Sequence, residues 1–437
     1  MIVCALISLV VMHDTSVRNA PKLIQVITTC RHGIRSNENM IPSLKCPTWN
    51  SAPAQITPLG AKQNYELGKH LSQKYSSLIG NTYNFKKHLI RSTNTNKCLS
   101  SAQDFAQGLF EQYATDYKTN HSIAWYAPIE SDTFAIDYVM EGEQACNKQI
   151  STLRAPLRET EEFKTKLAES KAFFAEVTTE GGFTSGITLP TVGRAAEQII
   201  LLTGHGYTKD NNPFDGEKCF YENDETNNKL VQYATENNIM NNAPELVEIS
   251  KLQNSPFINE VVSQMKLAFT KNSSREFIMY MGDNGNILGP VQWAKGKSHG
   301  RASFGGYFYF ELYQMDDNTE GVKFGYYNLT TTVSPIDFSA SFSYTDGEDL
   351  TKNICPGKEY CTFNDLVSTV YTNDEWMKVC GLVTEDEPVT TWPKAAIGTV
   401  IPLAVCLAVA VVAAIIFAIC CCMRKPSGSK SGEMGNM

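Results

Sequence analysis

The amino-acid sequence predicts an α/β fold with a central mixed, mostly parallel sheet flanked by helices, an inserted helical cap and one C-terminal transmembrane helix. Three observations predict it. Near the N terminus, a short apolar segment and an amphipathic helical segment alternate twice, as in α/β proteins. Residues 129–271 then have the pattern of mostly polar helices, and residues 395–423, which contain no charged side chain, are long enough to span a bilayer.

The first strand is predicted at residues 23–28 (LIQVIT), a short apolar segment rich in β-branched side chains. It leads directly into residues 30–35 (CRHGIR), so two arginines and a histidine follow the carboxyl end of a strand, where α/β sheets carry functional loops. The first helix is predicted to begin at Thr57-Pro58, because a capping hydroxyl is followed there by proline. Its apolar stripe is formed by Leu67, Leu71 and Tyr75.

The second strand is predicted at residues 87–90 and ends at residues 91–93 (RST). The helix that follows has one apolar face, formed by Leu99, Ala102, Phe105, Ala106 and Leu109. Within 129–271, residues 157–174 and 247–269 have helical patterns, and strand patterns are few. We expect this region to form a helical cap that covers the sheet.

A further buried strand is predicted at residues 276–281 (EFIMYM), and it ends at residues 282–283 (GD). Residues 307–313 and 322–328 flank a polar turn, which predicts an antiparallel hairpin. Residues 384–394 are acidic and contain two prolines, so we expect them to form a stalk above the membrane.

The two ends of the chain predict a type I membrane protein. Residues 2–12 are almost wholly apolar but too short to span a bilayer, which favours a signal peptide at 1–17; the alternative is a buried first strand. Basic residues directly follow the predicted span at 395–423, which places the tail, 424–437, in the cytosol. The alternatives for the span are a very apolar core helix or a signal for glycolipid attachment. The ectodomain, 18–383, is then expected in the secretory pathway, in a lysosome-like compartment or at the cell surface.

Composition narrows the function classes. The net charge of −8 and the lack of a basic tract in the sequence argue against a nucleic-acid-binding protein. An even number of the 13 cysteines lies in the predicted ectodomain, which suits disulfides in an exported domain. These are Cys30, Cys46, Cys98, Cys146, Cys219, Cys355, Cys361 and Cys380. Their spacing is not that of a zinc site, so no metal is expected. Glycosylation sequons begin at Asn120, Asn272 and Asn328.

Residues 31–35 (RHGIR) combine side chains that suit phosphate chemistry. The guanidinium groups of Arg31 and Arg35 can each form bidentate hydrogen bonds with two phosphate oxygens, and they stay charged at any working pH. A neutral imidazole such as that of His32 can attack phosphorus and form a covalent phosphohistidine. Gly33 permits a tight backbone beside the reacting group. An isolated triplet of this kind is more often a surface loop, so the interpretation depends on the rest of the chain.

Further motifs follow in a fixed order. They are RHGIRSN at 31–37, TPLGAKQNYELG at 57–68, RST at 91–93, SAQDFAQGLF at 101–110, FELY at 310–313 and WMKVC at 376–380. In content, order and spacing they resemble the motifs of histidine acid phosphatases over most of residues 22–380, with the weakest match in the middle. The C-terminal anchor resembles that of the lysosomal members. The resemblance implies a phosphoglycerate-mutase-like sheet, small phosphomonoester substrates, no metal or organic cofactor, and often a homodimer.

The resemblance also implies roles for individual residues. His32 is the expected nucleophile, and Arg31, Arg35 and Arg91 are expected to bind phosphate and stabilise the charge of the transition state. Asp283 is expected to protonate the leaving alcohol, which suits a low optimum pH because an acid must hold its proton to donate it. The implied disulfides are Cys146–Cys380 and Cys355–Cys361, while the pairing of the other four ectodomain cysteines stays open.

Two positions depart from the family pattern. The proline that closes the first motif is Asn37 here, which removes no reacting group. The histidine of the family's His-Asp pair is Gly282, and losing one preorganised charged donor costs about 3 kcal/mol, or two to three orders of magnitude in rate. His299 is the nearest other histidine in sequence, and nothing in the sequence brings it to the pocket.

Three functions therefore stay open. The first is an acid phosphatase, with phytase-like specificity as a variant. The second is a protein that binds phosphate in the same pocket without efficient turnover, which Gly282 favours and the retention of the other site residues opposes. The third is a phosphoglycerate-mutase-like enzyme, which shares the RHG opening. Arg35, the SAQDFAQGLF segment and the predicted signal peptide and anchor argue against this third function.

Overall fold

The computed structural model describes residues 20–44, 46, 52–211, 218–241, 247–296, 300–334, 339–344 and 347–383. The expected signal peptide, stalk, transmembrane helix and cytoplasmic tail lie outside these ranges, as does His299. Within them, we find no helix with both the length and the apolar character to cross a bilayer.

A mixed six-stranded sheet forms the centre of the molecule. The described residues form eight strands, six of which belong to this sheet. They are β1 (Lys22–Arg31), β2 (His88–Ser92), β3 (Phe277–Gly282), β4 (Tyr307–Gln314), β5 (Glu320–Tyr327), β6 (Leu329–Val333), β7 (Ala340–Tyr344) and β8 (Glu348–Asp349). The sheet has the order β2-β3-β1-β4-β5-β8, and β6 and β7 pair as a separate ribbon.

The direction of the strands corrects one expectation. β1 and β2 each pair in parallel with β3, whereas the β1–β4, β4–β5 and β5–β8 pairs are antiparallel. A mixed α/β sheet is confirmed, but the prediction that it is mostly parallel is wrong. A short turn joins β4 and β5 and requires them to run in opposite directions, while the connections between β1, β2 and β3 contain helices and permit parallel pairing.

Helices make up most of the remaining described structure. They are α1 (Pro58–Lys74), α2 (Ser76–Ile79), α3 (Asn96–Leu109), α4 (Glu111–His121), α5 (Gly142–Ala145), α6 (Asn147–Arg154), α7 (Glu161–Glu180), α8 (Gly193–Gly204), α9 (Asp224–Met240), α10 (Val247–Phe269), α11 (Asn284–Lys295), α12 (Thr351–Ile354), α13 (Phe363–Val367) and α14 (Asn373–Val379). The Thr57 side chain caps α1, as its sequence predicts. α7 begins at Glu161 and not at residue 157, because Thr160 caps it by accepting a hydrogen bond from the N–H of Phe163.

Both faces of the sheet are buried, because successive side chains of a strand point to opposite sides. On one face, Val26 of β1 and Met279 of β3 belong to the cluster that contains the apolar stripes of α1 and α3. On the other face, Ile27 and Ile278 belong to the cluster that contains Ile258 of α10 and residues of α11. The central sheet therefore lies between two layers of helices.

The region expected to be a helical cap, 129–271, divides into two parts. Helices α7, α8 and α9 have a core of their own, separate from the sheet, with Phe174, Ile199 and Leu230 buried in it. Helix α10 instead packs on the sheet and leads into β3. The loop after β1 also joins the cap core through Ile41 and Leu44.

Disulfides join distant parts of the described chain. The Cys46–Cys219 disulfide connects the loop after β1 to the cap, a pairing that the sequence leaves open. The Cys146–Cys380 and Cys355–Cys361 disulfides have the pairing that the resemblance implies. Cys30 and Cys98 are free and buried.

Candidate active site

The loop that carries His32 is held by backbone contacts to three motifs. The His32 N–H donates to the carbonyl of Gly282 at the end of β3, over 2.9 Å. The Gly33 N–H donates to the Ser101 hydroxyl of α3, and the Ile34 N–H donates to the Gln63 side chain of α1. These contacts give Gln63 and Ser101, both in recognised motifs, a structural role in fixing the loop.

Gly33 is required by the close approach of the loop to α1. A Cβ atom at this position would lie 2.1 Å from the carbonyl oxygen of Gly60, which no side chain can accommodate without backbone movement. A Cβ atom on Gly60 would in turn lie 2.0 Å from the carbonyl oxygen of Ile34. The RHG loop and the start of α1 therefore depend on two glycines in contact.

The orientation of the His32 ring leaves one nitrogen for chemistry. Nδ1 lies 2.7 Å from the carbonyl oxygen of Gly33, which can only accept, so Nδ1 carries a proton. Nε2 lies 3.0 Å from Oδ1 of Asp283, and a hydrogen bond between them requires one shared proton. Burial lowers the pKa of His32, whose side chain is 2% exposed. The imidazole is therefore disposed to act through Nε2.

Asp283 connects the histidine to Lys97. It is the N-cap of α11, and its Oδ1 atom lies 2.9 Å from the ammonium of Lys97 on α3. Burial alone would raise the pKa of Asp283, but the hydrogen bonds and charges of His32 and Lys97 outweigh burial and hold the pKa below its ordinary value. The proton shared with His32 therefore resides mainly on the imidazole while this contact lasts.

Arg31 is buried at the end of β1, with 5% of its surface exposed. Its Nη1 donates to the carbonyl of Ala302, and its guanidinium carbon lies 3.9 Å from the centre of the Phe304 ring. Its Nε–H is buried without a protein partner. Burial, together with the charges of Arg301 and Arg35, lowers the pKa of Arg31 to about 9, so the guanidinium stays charged at acid pH.

Arg35 lies between the loop and the cap. Its Nη2 pairs with Oε1 of Glu197 on α8, and its Nη1 donates to the carbonyl of Ser36 over 2.9 Å. Glu197 also accepts hydrogen bonds from the backbone and side-chain nitrogens of Asn39. The carboxylate of Glu197 therefore fixes both the arginine and the loop after it.

Arg91, in β2, is held by two carboxylates. Its Nη2 donates to Asp132 over 2.7 Å and also to Asp137, while its Nε is buried without a protein partner. Burial alone would lower the pKa of Arg91, but the two carboxylates outweigh it and raise the pKa. Asp137 is 1% exposed, and burial raises its own pKa, because Arg91 offsets only part of the cost of desolvation.

The topology places these residues at one edge of the sheet. In the parallel register Arg31 is opposite Gly282, and Ser92, directly after Arg91, is opposite Met281. The carboxyl ends of β1, β2 and β3 therefore meet, and His32 follows the first of them. His32 and Asp283 are in contact, and Arg31 and Arg91 lie at the same sheet edge, whereas the side chains of Arg35 and Arg91 pair with carboxylates.

The place of the missing family histidine is filled by Asn286. A Cβ atom on Gly282 would lie 2.2 Å from Oδ1 and 2.5 Å from Cγ of Asn286. The same Oδ1 accepts the backbone N–H of Asp283 over 2.7 Å, and the Asn286 Nδ2 donates to the carbonyl of Met140 over 2.6 Å. Asn286 thus fixes the backbone of Asp283 from the side where a histidine at 282 would project.

Sequence reasoning missed the carboxylates that pair with the arginines, and it missed Lys97 and Asn286. One of these leaves a signal in the sequence. Lys97 is the second residue of α3, where the helix dipole disfavours a positive charge, so its presence there points to a local acidic partner. The partners of Arg35 and Arg91 lie 162 and 41 residues away in sequence, and no local pattern marks them.

A cavity of about 270 Å³ opens beside Asp283. Its wall includes Lys97, Glu141, Glu143 and Asn286, together with the apolar side chains of Phe134 and Phe257. Arg31, His32, Arg35 and Arg91 are not part of this wall. In the described part of the chain we find no cluster of histidine, cysteine or acidic side chains that would hold a metal ion.

Residues 22–327 match the histidine phosphatase superfamily (branch 2). The match covers most of the chain, so the chain belongs to this family, as its motifs indicate. One relative is the prostatic acid phosphatase of Rattus norvegicus, 24% identical over 287 residues, which cover 62% of this chain and 69% of the relative. Another is the lysosomal acid phosphatase of Homo sapiens, 27% identical over 203 residues, which cover 46% of this chain and 47% of the relative.

Solved structures with the same fold include two phytases. That of Hafnia alvei, in complex with tartrate, has a TM-score of 0.55 at 13% identity and covers 83% of this chain and 99% of its own. That of Klebsiella sp. ASR1 has a TM-score of 0.55 at 12% identity and covers 80% and 95%. At these identities the likeness establishes the fold and carries no statement about substrate.

Proposed function

We propose that this chain is an acid phosphatase that hydrolyses phosphate monoesters through a phosphohistidine on Nε2 of His32. The observation that carries the proposal is the arrangement of His32: one ring nitrogen is bound to a backbone carbonyl, and the other is 3.0 Å from Asp283. Arg31 and Arg91 lie at the same sheet edge, and each has a buried Nε–H without a protein partner. Phosphate oxygens are suitable acceptors for these donors.

In the first step, Nε2 attacks phosphorus, so that a P–N bond forms and the bond to the ester oxygen breaks. Before the attack, the proton that resides mainly on the imidazole moves from Nε2 to the carboxylate of Asp283, and the burial that lowers the pKa of His32 favours this transfer. The incoming phosphoryl group then replaces the protonated Asp283 as the partner of Nε2. Asp283 then donates this proton to the departing oxygen, which leaves as an alcohol. The arginines stabilise the charge on the equatorial oxygens of the transition state.

In the second step, water attacks the phosphohistidine. The Asp283 carboxylate takes a proton from the water, the P–N bond breaks, and inorganic phosphate leaves. The proton on Asp283 is again shared with His32, so the pair begins and ends the cycle with one proton. No metal or organic cofactor is required, because the guanidinium groups supply the positive charge.

Acid pH supports both binding and chemistry in this scheme. The pKa of Asp137 is raised by burial, so acidification weakens the pairing of this carboxylate with Arg91 and favours the binding of phosphate to Arg91. The His32–Asp283 pair must also hold one proton, which it loses as the pH rises. We therefore expect turnover to fall from acid towards neutral and alkaline pH.

The second candidate function is a phosphate-binding protein with little turnover. The observation that favours it is that Asn286, an uncharged side chain, lies where the family histidine would add a charged donor. The loss of such a donor slows the reaction by two to three orders of magnitude, in round terms, and does not remove the nucleophile or the acid. A slow acid phosphatase is therefore the function that the site supports best.

The test is hydrolysis of an aryl phosphate by the full chain across acid to alkaline pH, beside His32→Ala. We expect turnover that is highest at low pH and falls by at least about 10³-fold in the alanine variant, since the nucleophile is lost. Circular dichroism and the melting temperature of the variant provide the control for folding. Unchanged turnover in folded His32→Ala protein overturns the mechanism, and the absence of turnover in the wild type favours the second function.

We also propose that the ectodomain, 18–383, is exported and anchored by residues 395–423. Three disulfides in the described residues support an oxidising compartment. Expression in animal cells tests this proposal, because the chain should remain with membranes after carbonate washing. External protease should cleave the ectodomain when the chain is at the cell surface, or in vesicles inverted so that the lumenal side faces outwards. Release of the intact chain by the wash contradicts the anchor.

A further inference from the structure

The cavity beside Asp283 lies on the leaving-group side of the site. Its wall includes Asp283, the group that donates a proton to the departing oxygen in the proposed mechanism, and excludes His32 and the three phosphate-binding arginines. In an in-line reaction the leaving group is opposite the nucleophile. The alcohol portion of a bound ester therefore extends from Asp283 into this cavity, which we call the leaving-group cavity.

Acidic side chains outnumber basic ones in the wall of this cavity. Its wall has three carboxyl groups, those of Glu141, Glu143 and Asp283, and one ammonium, that of Lys97. Lys97 is already paired with Asp283 over 2.9 Å. Glu143 is 2.9 Å from Arg154, and Glu141 has no ion pair among the described residues. A second anionic group on a substrate would find no unpaired cation in the described wall of this cavity.

Two acceptor atoms of the wall lack donors. Oε1 of Glu141 and Oε1 of Gln253 are buried, and neither has a hydrogen-bond partner in the protein. Leaving buried acceptors unsatisfied costs free energy, and a donor on a ligand recovers it. Both residues line the cavity, so a ligand N–H or O–H group that reaches either oxygen recovers this free energy, whereas a further acceptor does not.

We propose that the leaving-group cavity selects monophosphate esters whose alcohol carries an ammonium or other hydrogen-bond donor close to the phosphate, and that it rejects esters with a second anionic group. The proposal rests on the phosphatase function proposed above and names its substrate class. It predicts poor turnover of polyphosphorylated alcohols by this chain.

The electrostatics of Glu141 agree with this selection. Burial raises the pKa of Glu141 to about 8, and the negative charges of Asp283, Asp137 and Glu143 add to the rise, with Lys97 opposing it. Asp283 lies between β3 and α11, and Asp137 lies in the segment before α5. Glu143 belongs to α5, and Lys97 belongs to α3. Because its pKa is raised, the Glu141 carboxyl is protonated at acid pH. An ammonium group in the cavity favours its ionisation, whereas a carboxylate opposes it.

The experiment compares three esters of similar size that differ in charge: 2-aminoethyl phosphate, 2-hydroxyethyl phosphate and carboxymethyl phosphate. With the full chain, kcat/KM should fall in that order, by at least about tenfold from the first to the last, the effect of a single partly solvated charge contact. Turnover of an aryl phosphate is measured in the same series to establish activity.

Two variants identify the cause. Glu141→Gln/Glu143→Gln removes two ionisable carboxyl groups with little change in size, and the difference between the amino and carboxy esters should shrink to about threefold or less. The matched control is Glu169→Gln on the exposed face of α7, which should keep the wild-type order. A double variant that keeps the wild-type order overturns the proposal.

A binding measurement separates this proposal from the phosphatase function. His32→Ala cannot form the covalent intermediate, so calorimetric affinities of the three esters for it do not depend on turnover. The same order of affinities, even in a chain without activity on aryl phosphate, supports the cavity and overturns only the catalytic proposal. Equal affinities, or tighter binding of carboxymethyl phosphate, overturn the cavity proposal whether or not the chain is active.

Discussion

At the scale of single residues, Gly282 and Asn286 determine how far the site departs from that of its family. Asn286 uses its side-chain oxygen to bind the backbone of Asp283 and its side-chain nitrogen to bind the carbonyl of Met140. The side chain of Asn286 therefore holds Asp283, the proposed acid, in position, but it does not supply the positive charge of the family histidine. Introduction of a histidine at 282 must displace that side chain.

This conflict yields a prediction. Gly282→His alone should lower turnover of an aryl phosphate, because the new Cβ atom would lie 2.2 Å from Oδ1 of Asn286 and disturb Asp283. Gly282→His/Asn286→Ala removes the obstacle, and kcat should rise above that of Asn286→Ala by roughly 10- to 100-fold as a charged donor returns. The measurement is kcat with matched melting temperatures. A gain in the single variant as large as in the double one contradicts the account.

The residues that sequence analysis found and those it missed differ in one physical respect. His32, Arg31 and Asp283 lie where strands end, and short contiguous motifs mark them. Their partners are determined by packing between distant elements, as with Glu197 on α8, whose contact with Arg35 spans 162 residues. Polar pairs of this kind leave no periodic pattern in the chain.

At the scale of elements, the contact between α1 and α3 fixes the two motifs that hold the catalytic loop. The helices approach so closely that a Cβ atom on Gly108 would lie 1.9 Å from the carbonyl oxygen of Tyr65. Gln63 of α1 and Ser101 of α3 reach the loop from these helices. The glycines of the motifs therefore serve packing, and the polar residues between them serve the site.

Gly108→Ala tests this packing. Neither helix backbone can yield locally, so we expect a loss of about 1–3 kcal/mol in the free energy of unfolding and reduced turnover. The control is Gly193→Ala at the start of α8, where a Cβ atom meets no other atom within 4 Å. There the same substitution should be neutral or stabilise by up to ~1 kcal/mol. Urea unfolding of both variants is the measurement, and equal stability would argue against the close contact.

Much of the element order was accessible from the sequence because it depends on local patterns. The apolar runs of β1 and β3, the capping hydroxyl of α1 and the hairpin of β4 and β5 each extend over a few residues. The order of strands, the antiparallel share of the sheet and the packing of α10 on it depend on which apolar faces meet, and one chain does not specify that. The Cys46–Cys219 pairing depends on the same long-range packing.

At the scale of the whole molecule, the site forms where the sheet edge meets the cap. The sheet contributes Arg31, Arg91 and the end of β3, and the cap contributes Glu197, which holds Arg35. The Cys46–Cys219 disulfide ties the intervening loop to the same cap helices. The charges of the arginines are thus balanced by carboxylates from several elements, and in the proposed mechanism acid pH shifts this balance towards phosphate.

The proposed mechanism transfers the phosphoryl group to His32, and the resulting phosphohistidine can be trapped. Asp283→Asn removes the base of the second step, so an aryl phosphate, whose leaving group needs little protonation, should leave the phosphoryl group on the enzyme. Alkaline quench after milliseconds to seconds, followed by peptide mass spectrometry, locates it. We predict phosphohistidine at His32, and none in Asp283→Asn/His32→Ala. A phosphoryl group on another residue, or steady turnover in His32→Ala, would contradict it.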